Sequence, residues 1–233
     1  MNLINILFIY TIKVKKNITL RHFVFLTLAI LIGMYGFALF GNARVNNSYG
    51  IDEPITNGDM ILLIGGATEE FRNSVIPDAF FWIYLYISSP LANLQNTIIN
   101  FDRYEVSLDN FSLLIVHEVF PDFISSRLTP FTGIFLDRPV QITPELTVGT
   151  AFVRSYIIFG WFGMIIYTLI LFLFGYIYTA FAKKISRSLF LTGYVTLCTL
   201  FLFSYFANML TFSGLSFQLV YPLLANKIFE IKY

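Results

Sequence analysis

Between residues 42 and 155 every permanently cationic side chain is an arginine: Arg44, Arg72, Arg103, Arg127, Arg138 and Arg154. A guanidinium presents a planar fork that grips two phosphate oxygens at once and stays charged in a partly dry site, which an ammonium does less well. Six arginines without one lysine therefore read as a candidate site for a phosphorylated ligand. The plainer alternative is that they pair with the thirteen Asp and Glu residues of the same segment, or snorkel to a membrane edge. Proton transfer has three candidate carriers: Glu145, in a TPELTVGT turn nine residues before Arg154, and the neighbours His117 and Glu118. An unperturbed histidine titrates near neutral pH, but spacing alone does not choose among the three. Other chemistries lack carriers. The only cysteine, Cys198, lies in an apolar run, and His22 and His117 are the only histidines, so a His/Cys metal site is not expected. No glycine-rich phosphate loop or nucleophile elbow is present.

The elements that must position these residues are apolar. Hydrophobic residues make up 57% of the 233 and charged residues 12%, against roughly 45–50% and about 25% in soluble domains. That balance excludes a disordered chain, a disulfide scaffold and a nucleic-acid-binding domain. Three runs without a formal charge, 22–41, 156–182 and 188–210, each reach the ~20 residues needed to cross a bilayer as a helix. The net charge of +1 conceals a partition. Segment 42–155 holds six arginines against thirteen acids, a net −7, whereas the rest carries +8 and all seven lysines. Basic residues stay on the cytoplasmic side of spanning helices. The clusters Lys13–Lys16 with Arg21, and Lys183–Arg187, thus place 42–155 outside, with Arg44 and Arg154 at the outer headgroup level.

The expected fold is an all-α, multi-pass transmembrane helical protein whose large external loop contains short amphipathic or re-entrant helices. Its parts are a partial helix and cytoplasmic basic segment (1–21), a span (22–41), the external loop (42–155), a span (156–182), a cytoplasmic turn (183–187), a span (188–210) and a broken or interfacial C-terminal helix (211–233). Residues 3–12 read as an interfacial segment or as the last half of a helix. Within the loop, GNARVNNSYGIDEPITNG (41–58) favours turns. The aromatic run 79–87 is expected to stop at Ser88-Ser89-Pro90, with Trp82, Tyr84 and Tyr86 suited to the membrane interface. Residues 111–116 form a second such element.

Several of these features resemble one family. A span followed by GNAR, a loop containing YLYISSPLANLQN, and the stretch TVGTAFVRSYIIFGWFGMIIYTLILFLFGYIY before a basic hairpin are similar to the C-terminal half of oligosaccharide repeat-unit polymerases, the Wzy-type O-antigen and capsule polymerases of bacterial envelopes. The resemblance is carried by Thr147 and Thr150 before the membrane, by Phe159–Gly163 and Gly175 within the span, and by Tyr84, Tyr86 and Pro90 in the loop. Arg138 and Gly149 stand at the family's Arg-x10-Gly spacing. The family carries more spans than are counted here.

The resemblance implies glycosyl transfer on the external face of the bacterial inner membrane. A growing glycan leaves its polyprenyl diphosphate and joins a hydroxyl of the next lipid-linked repeat unit. Arg44, Arg138 and Arg154 would neutralise the diphosphate, and Glu145 would take the acceptor proton. Arg72, Arg127, Tyr86 and His117 would contact substrate. No metal or cofactor is required. Partners would be the polyprenyl-diphosphate-linked oligosaccharide, the lipid bilayer, and a chain-length regulator or a separate N-terminal half, with no nucleic acid. Alternatives are a membrane component of a lipid-linked glycan flippase or transporter, an O-antigen ligase in which His117 gains weight as the base, and an inactive polymerase remnant. Charge-free spans with the polar groups outside favour an external-face enzyme over a transport path.

The charge partition makes a topological prediction. In a Cys198→Ala background, a cysteine at Ser107 should react with an impermeant maleimide added outside intact cells. One at Ser186 should react only after permeabilisation. The opposite pattern would reverse the orientation.

Overall fold

The computed structural model describes residues 5–6, 9–10, 19–101, 107–132 and 136–228. Lys13, Lys15, Lys16, Arg103 and Lys232, on which part of the charge reading rests, lie outside them. The described residues are helical, with no strand among them. Two helices are long and apolar enough to cross a membrane: α1 (Leu20–Tyr49) and α7 (Val153–Ala182), each of 30 residues. At 1.5 Å per residue each measures about 45 Å, more than the ~30 Å of a hydrocarbon core. The chain divides into two compact units, one of Lys16–Ser89 with Ile142–Thr147, the other of Met1–Lys15, Pro90–Gln141 and Val148–Tyr233.

In the first unit, α1 runs past Gly41 to Tyr49, so the expected Gly/Asn-rich turn begins as helix. The reason is where the asparagines point. Asn42 is buried and does not turn back on its own backbone. It accepts from the Trp82 indole (2.6 Å) and donates to the Ile55 carbonyl (3.0 Å). Gly41 leaves room for the same ring, since a Cβ there would stand 2.6 Å from Trp82. Gly50 ends the helix at φ 66°, and Ile51 N–H closes back to the Asn46 carbonyl (2.9 Å), the six-residue capping loop that a left-handed glycine permits. The short helices α2 (Asp59–Ile64) and α3 (Glu69–Arg72) follow. Ile61, Leu62, Phe81, Trp82 and Leu85 join Ala38 and Val45 in the core of this unit.

Helix α4 (Phe81–Asn100) overturns the expected stop at Pro90. Proline costs a helix interior about 3 kcal/mol through a lost N–H and a steric clash. The residues beyond it are held by contacts that a local reading does not contain. Asn93 donates to the Val148 carbonyl (2.7 Å), Asn96 to that of Gln141 (3.2 Å), and Thr97 accepts from Val140 N–H (3.1 Å). The division between the two units falls at this proline.

In the second unit, α5 (Leu108–Leu114) passes directly into a π-helical turn (Ile115–Val119), and α6 (Asp122–Thr132) follows. Helix α7 is bent at Phe159 (φ −137°) and Gly160 (φ 60°, ψ −143°), inside the FGWFG run. Helix α8 (Arg187–Phe203) is shorter than the expected span 188–210 and is not one of the two membrane-length helices; beyond it, the Asn208 side chain accepts from Leu210 N–H (3.1 Å) in a local turn. As far as Ile228, the C-terminal part is interrupted. It consists of α9 (Ser213–Ser216), a 3₁₀ turn (Phe217–Leu219) and α10 (Val220–Ile228). It is tied to α7 where the Tyr178 hydroxyl donates to the Leu219 carbonyl (2.9 Å) and to the α7–α8 turn where Ser186 N–H donates to Asn226 (3.0 Å). Of residues 3–12, Asn5 bonds Thr196 (3.3 Å) and Thr199 (2.6 Å) on α8.

Gly160 occupies backbone space that only glycine enters freely, so Gly160→Ala should lower stability by about 1–3 kcal/mol. Gly36→Ala, at a helical position with open space around it, should be neutral or stabilising. Thermal midpoints of the two variants in detergent measure the difference; equal midpoints would mean that α7 is not bent at Gly160.

Candidate functional site

Beyond its hydrophobic packing, the second unit buries one carboxyl group among its described residues. Glu118 is 2% exposed and sits in the π-helical turn. There Phe120 N–H reaches back five residues to the Ile115 carbonyl (3.3 Å). Such a turn re-aims side chains relative to a regular helix and recurs at functional sites. The turn is held from the far end of the chain. Asn208 donates through one amide nitrogen to Glu118 Oε2 (3.0 Å) and to the Glu118 backbone carbonyl (2.9 Å). Beside it, Asp122 N–H donates to the Thr211 carbonyl (2.7 Å) and Phe123 N–H to the Ser213 hydroxyl (3.0 Å). Residues 118–123 and 208–213 are thus laced together.

Burial raises the Glu118 carboxyl to about 8, against the opposing pull of the Arg154 charge and the Asn208 hydrogen bond. Asp122 is also raised by burial and lowered by Arg154. Arg154 is exposed, in the first turn of α7. A carboxyl that titrates near neutral pH can both give and take a proton at working pH. An arginine beside it can hold an anion while that happens. Tyr167, fully buried further along α7, feels the charges of both Glu118 and Arg154.

The sequence-derived site residues are divided between the two units. The charge of Arg154 reaches Glu118, and His117 precedes Glu118 on the same turn. Arg138 is exposed on an irregular stretch, close in sequence to the Val140 that Thr97 holds. Gly149 lies just ahead of α7, against Val153. Arg127 donates to the Phe123 carbonyl (2.5 Å) and lies over the Phe123 ring (5.8 Å). In the other unit, the Tyr49 hydroxyl donates to Glu145 (2.5 Å), which together with the Arg44 charge holds that carboxyl below the usual range. Arg72 is occupied by the backbone carbonyls of Ala67 and Leu62 (both 3.1 Å). Tyr86 packs edge-on to Phe37, with centroids 4.8 Å apart.

Of the three candidate proton carriers, Glu118 thus has the environment that tunes a carboxyl to neutral pH, and Glu145 is held ionised. Asn208, Asp122 and Tyr167 went unremarked in the sequence. The available signal for Asn208 was an amide near the end of an otherwise apolar run, where polar groups demand partners. No protein-family model, curated protein or solved structure matches the chain.

The shifted carboxyl has a thermodynamic consequence. Between about pH 4.5, where it titrates unfolded, and about 8, the folded chain keeps a proton that the unfolded chain has lost. Stability therefore falls as pH rises across that window and levels off above it. Asp122, raised in the same direction, adds to the lower part. Glu118→Gln stays neutral and can still accept from Asn208, so most of this slope should vanish. Thermal midpoints from about pH 5 to 8 measure it; an unchanged slope would mean that Glu118 is ionised when folded.

Proposed function

We propose that the chain polymerises polyprenyl-diphosphate-linked oligosaccharide repeat units on the external face of the bacterial inner membrane, as a multi-pass glycosyltransferase. The observation that carries this reading is a buried carboxyl, Glu118, held by Asn208 and within reach of the charge of Arg154, at the start of a membrane-length helix. Glycosyl transfer from a lipid diphosphate needs two services from the protein. Negative charge that develops on the leaving diphosphate must be stabilised, and the attacking hydroxyl must lose its proton.

Arg154 and Glu118 supply these within one unit. The donor glycan's anomeric carbon leaves the diphosphate oxygen and bonds to the acceptor oxygen. The acceptor proton passes to the ionised fraction of Glu118. Asn208 holds Oε2 of that carboxyl and keeps its turn in place. Arg44, next to the ionised Glu145, is a second cationic position, assigned here to the polar surface of the lipid headgroups. This reading shifts the base from Glu145 to Glu118 and keeps Arg154 as the principal phosphate ligand. Charge-free apolar stretches in α1 and α7 support an enzyme working at the membrane surface rather than a transport path through it.

Expression of the full chain in a host deleted for its own repeat-unit polymerase tests the assignment. Arg154→Lys keeps the charge and loses the bidentate fork, and should reduce glycan elongation at least tenfold, on the order of the lost charge-assisted hydrogen bond. Glu118→Gln should abolish elongation. Membrane insertion of both variants, followed by extraction with carbonate, should be unchanged. Full elongation by either variant would remove that residue from the site.

A further inference from the structure

A cavity of about 250 Å³ lies between α7 and the C-terminal helices, lined by Glu118, Tyr167, Leu171, Phe174, Ser216 and Leu219 among others. Its walls are hydrocarbon and aromatic, yet three buried polar atoms on its lining residues have no hydrogen-bond partner: Glu118 Oε1, the Tyr167 hydroxyl and Ser216 Oγ. Glu118 is 2% exposed and Tyr167 0%. Leaving such groups unpaired costs about 1–3 kcal/mol each. Buried water needs two to four polar partners apiece. Three polar atoms can satisfy one or two waters, each filling roughly 30 Å³, which leaves most of this apolar space unfilled.

We propose that the cavity binds the hydroxyl-bearing end of a neutral long-chain lipid alcohol. A hydroxyl both donates and accepts, which matches a carboxyl, a phenol and a serine that can each do the same. An alkane would leave all three polar groups unpaired. An anionic head would find no Lys or Arg among the lining residues to offset its lost hydration, and a cationic head would meet the field of Arg154. The chain of the alcohol lies along Leu171 and Phe174 on α7, a helix long and apolar enough to cross a membrane. The assignment does not rest on glycosyl transfer, because it concerns what fills the cavity and is read by binding alone. A free fatty alcohol and the alcohol end of a lipid carrier share the required chemistry.

Photolabelling of the full chain in phosphatidylcholine nanodiscs tests it, with hexadecanol carrying a diazirine in its chain as the probe. Adducts mapped by mass spectrometry should fall on Leu171, Phe174 or Leu219. Excess hexadecanol should displace them, while hexadecane and palmitate should not. Glu118→Leu should cut labelling about tenfold, the effect of one lost hydrogen bond to a buried group. Ser216→Ala should cut it by roughly threefold, and serves where the leucine variant fails to fold. Glu118→Gln should retain it. Competition by hexadecane equal to that by hexadecanol would overturn the proposal, as would adducts confined to outward residues such as Phe172, 73% exposed. Undiminished labelling of Ser216→Ala would do the same.

Discussion

The second unit depends on how one buried carboxyl is accommodated. Removing Glu118 from water favours its neutral form, and a single amide, Asn208, meets both its side chain and its backbone carbonyl. That amide stands ninety positions along the chain. Through it and its neighbours, the π-helical turn and the start of α6 are stitched to the segment that ends α8 and leads into the C-terminal helices. Loss of the amide would leave a buried acceptor unpaired, which costs more than the hydrogen bond itself contributes. Beyond the end of α8, Asn208 accepts from Leu210 N–H, and α5 passes into the π turn that carries Glu118.

Two carboxyl groups in this chain show opposite responses to their surroundings. Glu145 receives a phenol hydrogen bond and lies near Arg44, so its ionised form is favoured. Glu118 receives one amide hydrogen bond but is fully buried, and desolvation outweighs both that bond and the Arg154 charge. Residue type and distance in sequence from an arginine are similar for the two. Solvent access separates them, and it favours the ionised form of one and the neutral form of the other.

The arginine-only pattern separates in the same way. Arg72 and Arg127 close on backbone carbonyls near them in sequence, so part of the pattern has a local structural role. Arg44 and Arg154 each face carboxyl groups, and Arg138 remains exposed on an irregular stretch. An arginine's fork serves a carbonyl as readily as a phosphate. Composition alone therefore could not sort these roles.

The sequence by itself determined the helical class and two of its three expected spans, because unbroken apolar length is a local property that needs no partner to be read; the third run, 188–210, forms the shorter helix Arg187–Phe203. The bend in α7 also had a local signal in its Phe-Gly run, since glycine alone tolerates that backbone. Only the tertiary structure decided where helices continue or stop. Helix α4 passes Pro90 because Asn93, Asn96 and Thr97 gain distant backbone partners, and α1 passes Gly41 because Trp82 covers it. The site followed the same logic. Arg154 was visible as an arginine beside an apolar run, and Glu118 as one of three possible proton carriers. Choosing between Glu118 and Glu145 required knowing which carboxyl is dry, and burial is set by packing between segments far apart in the chain.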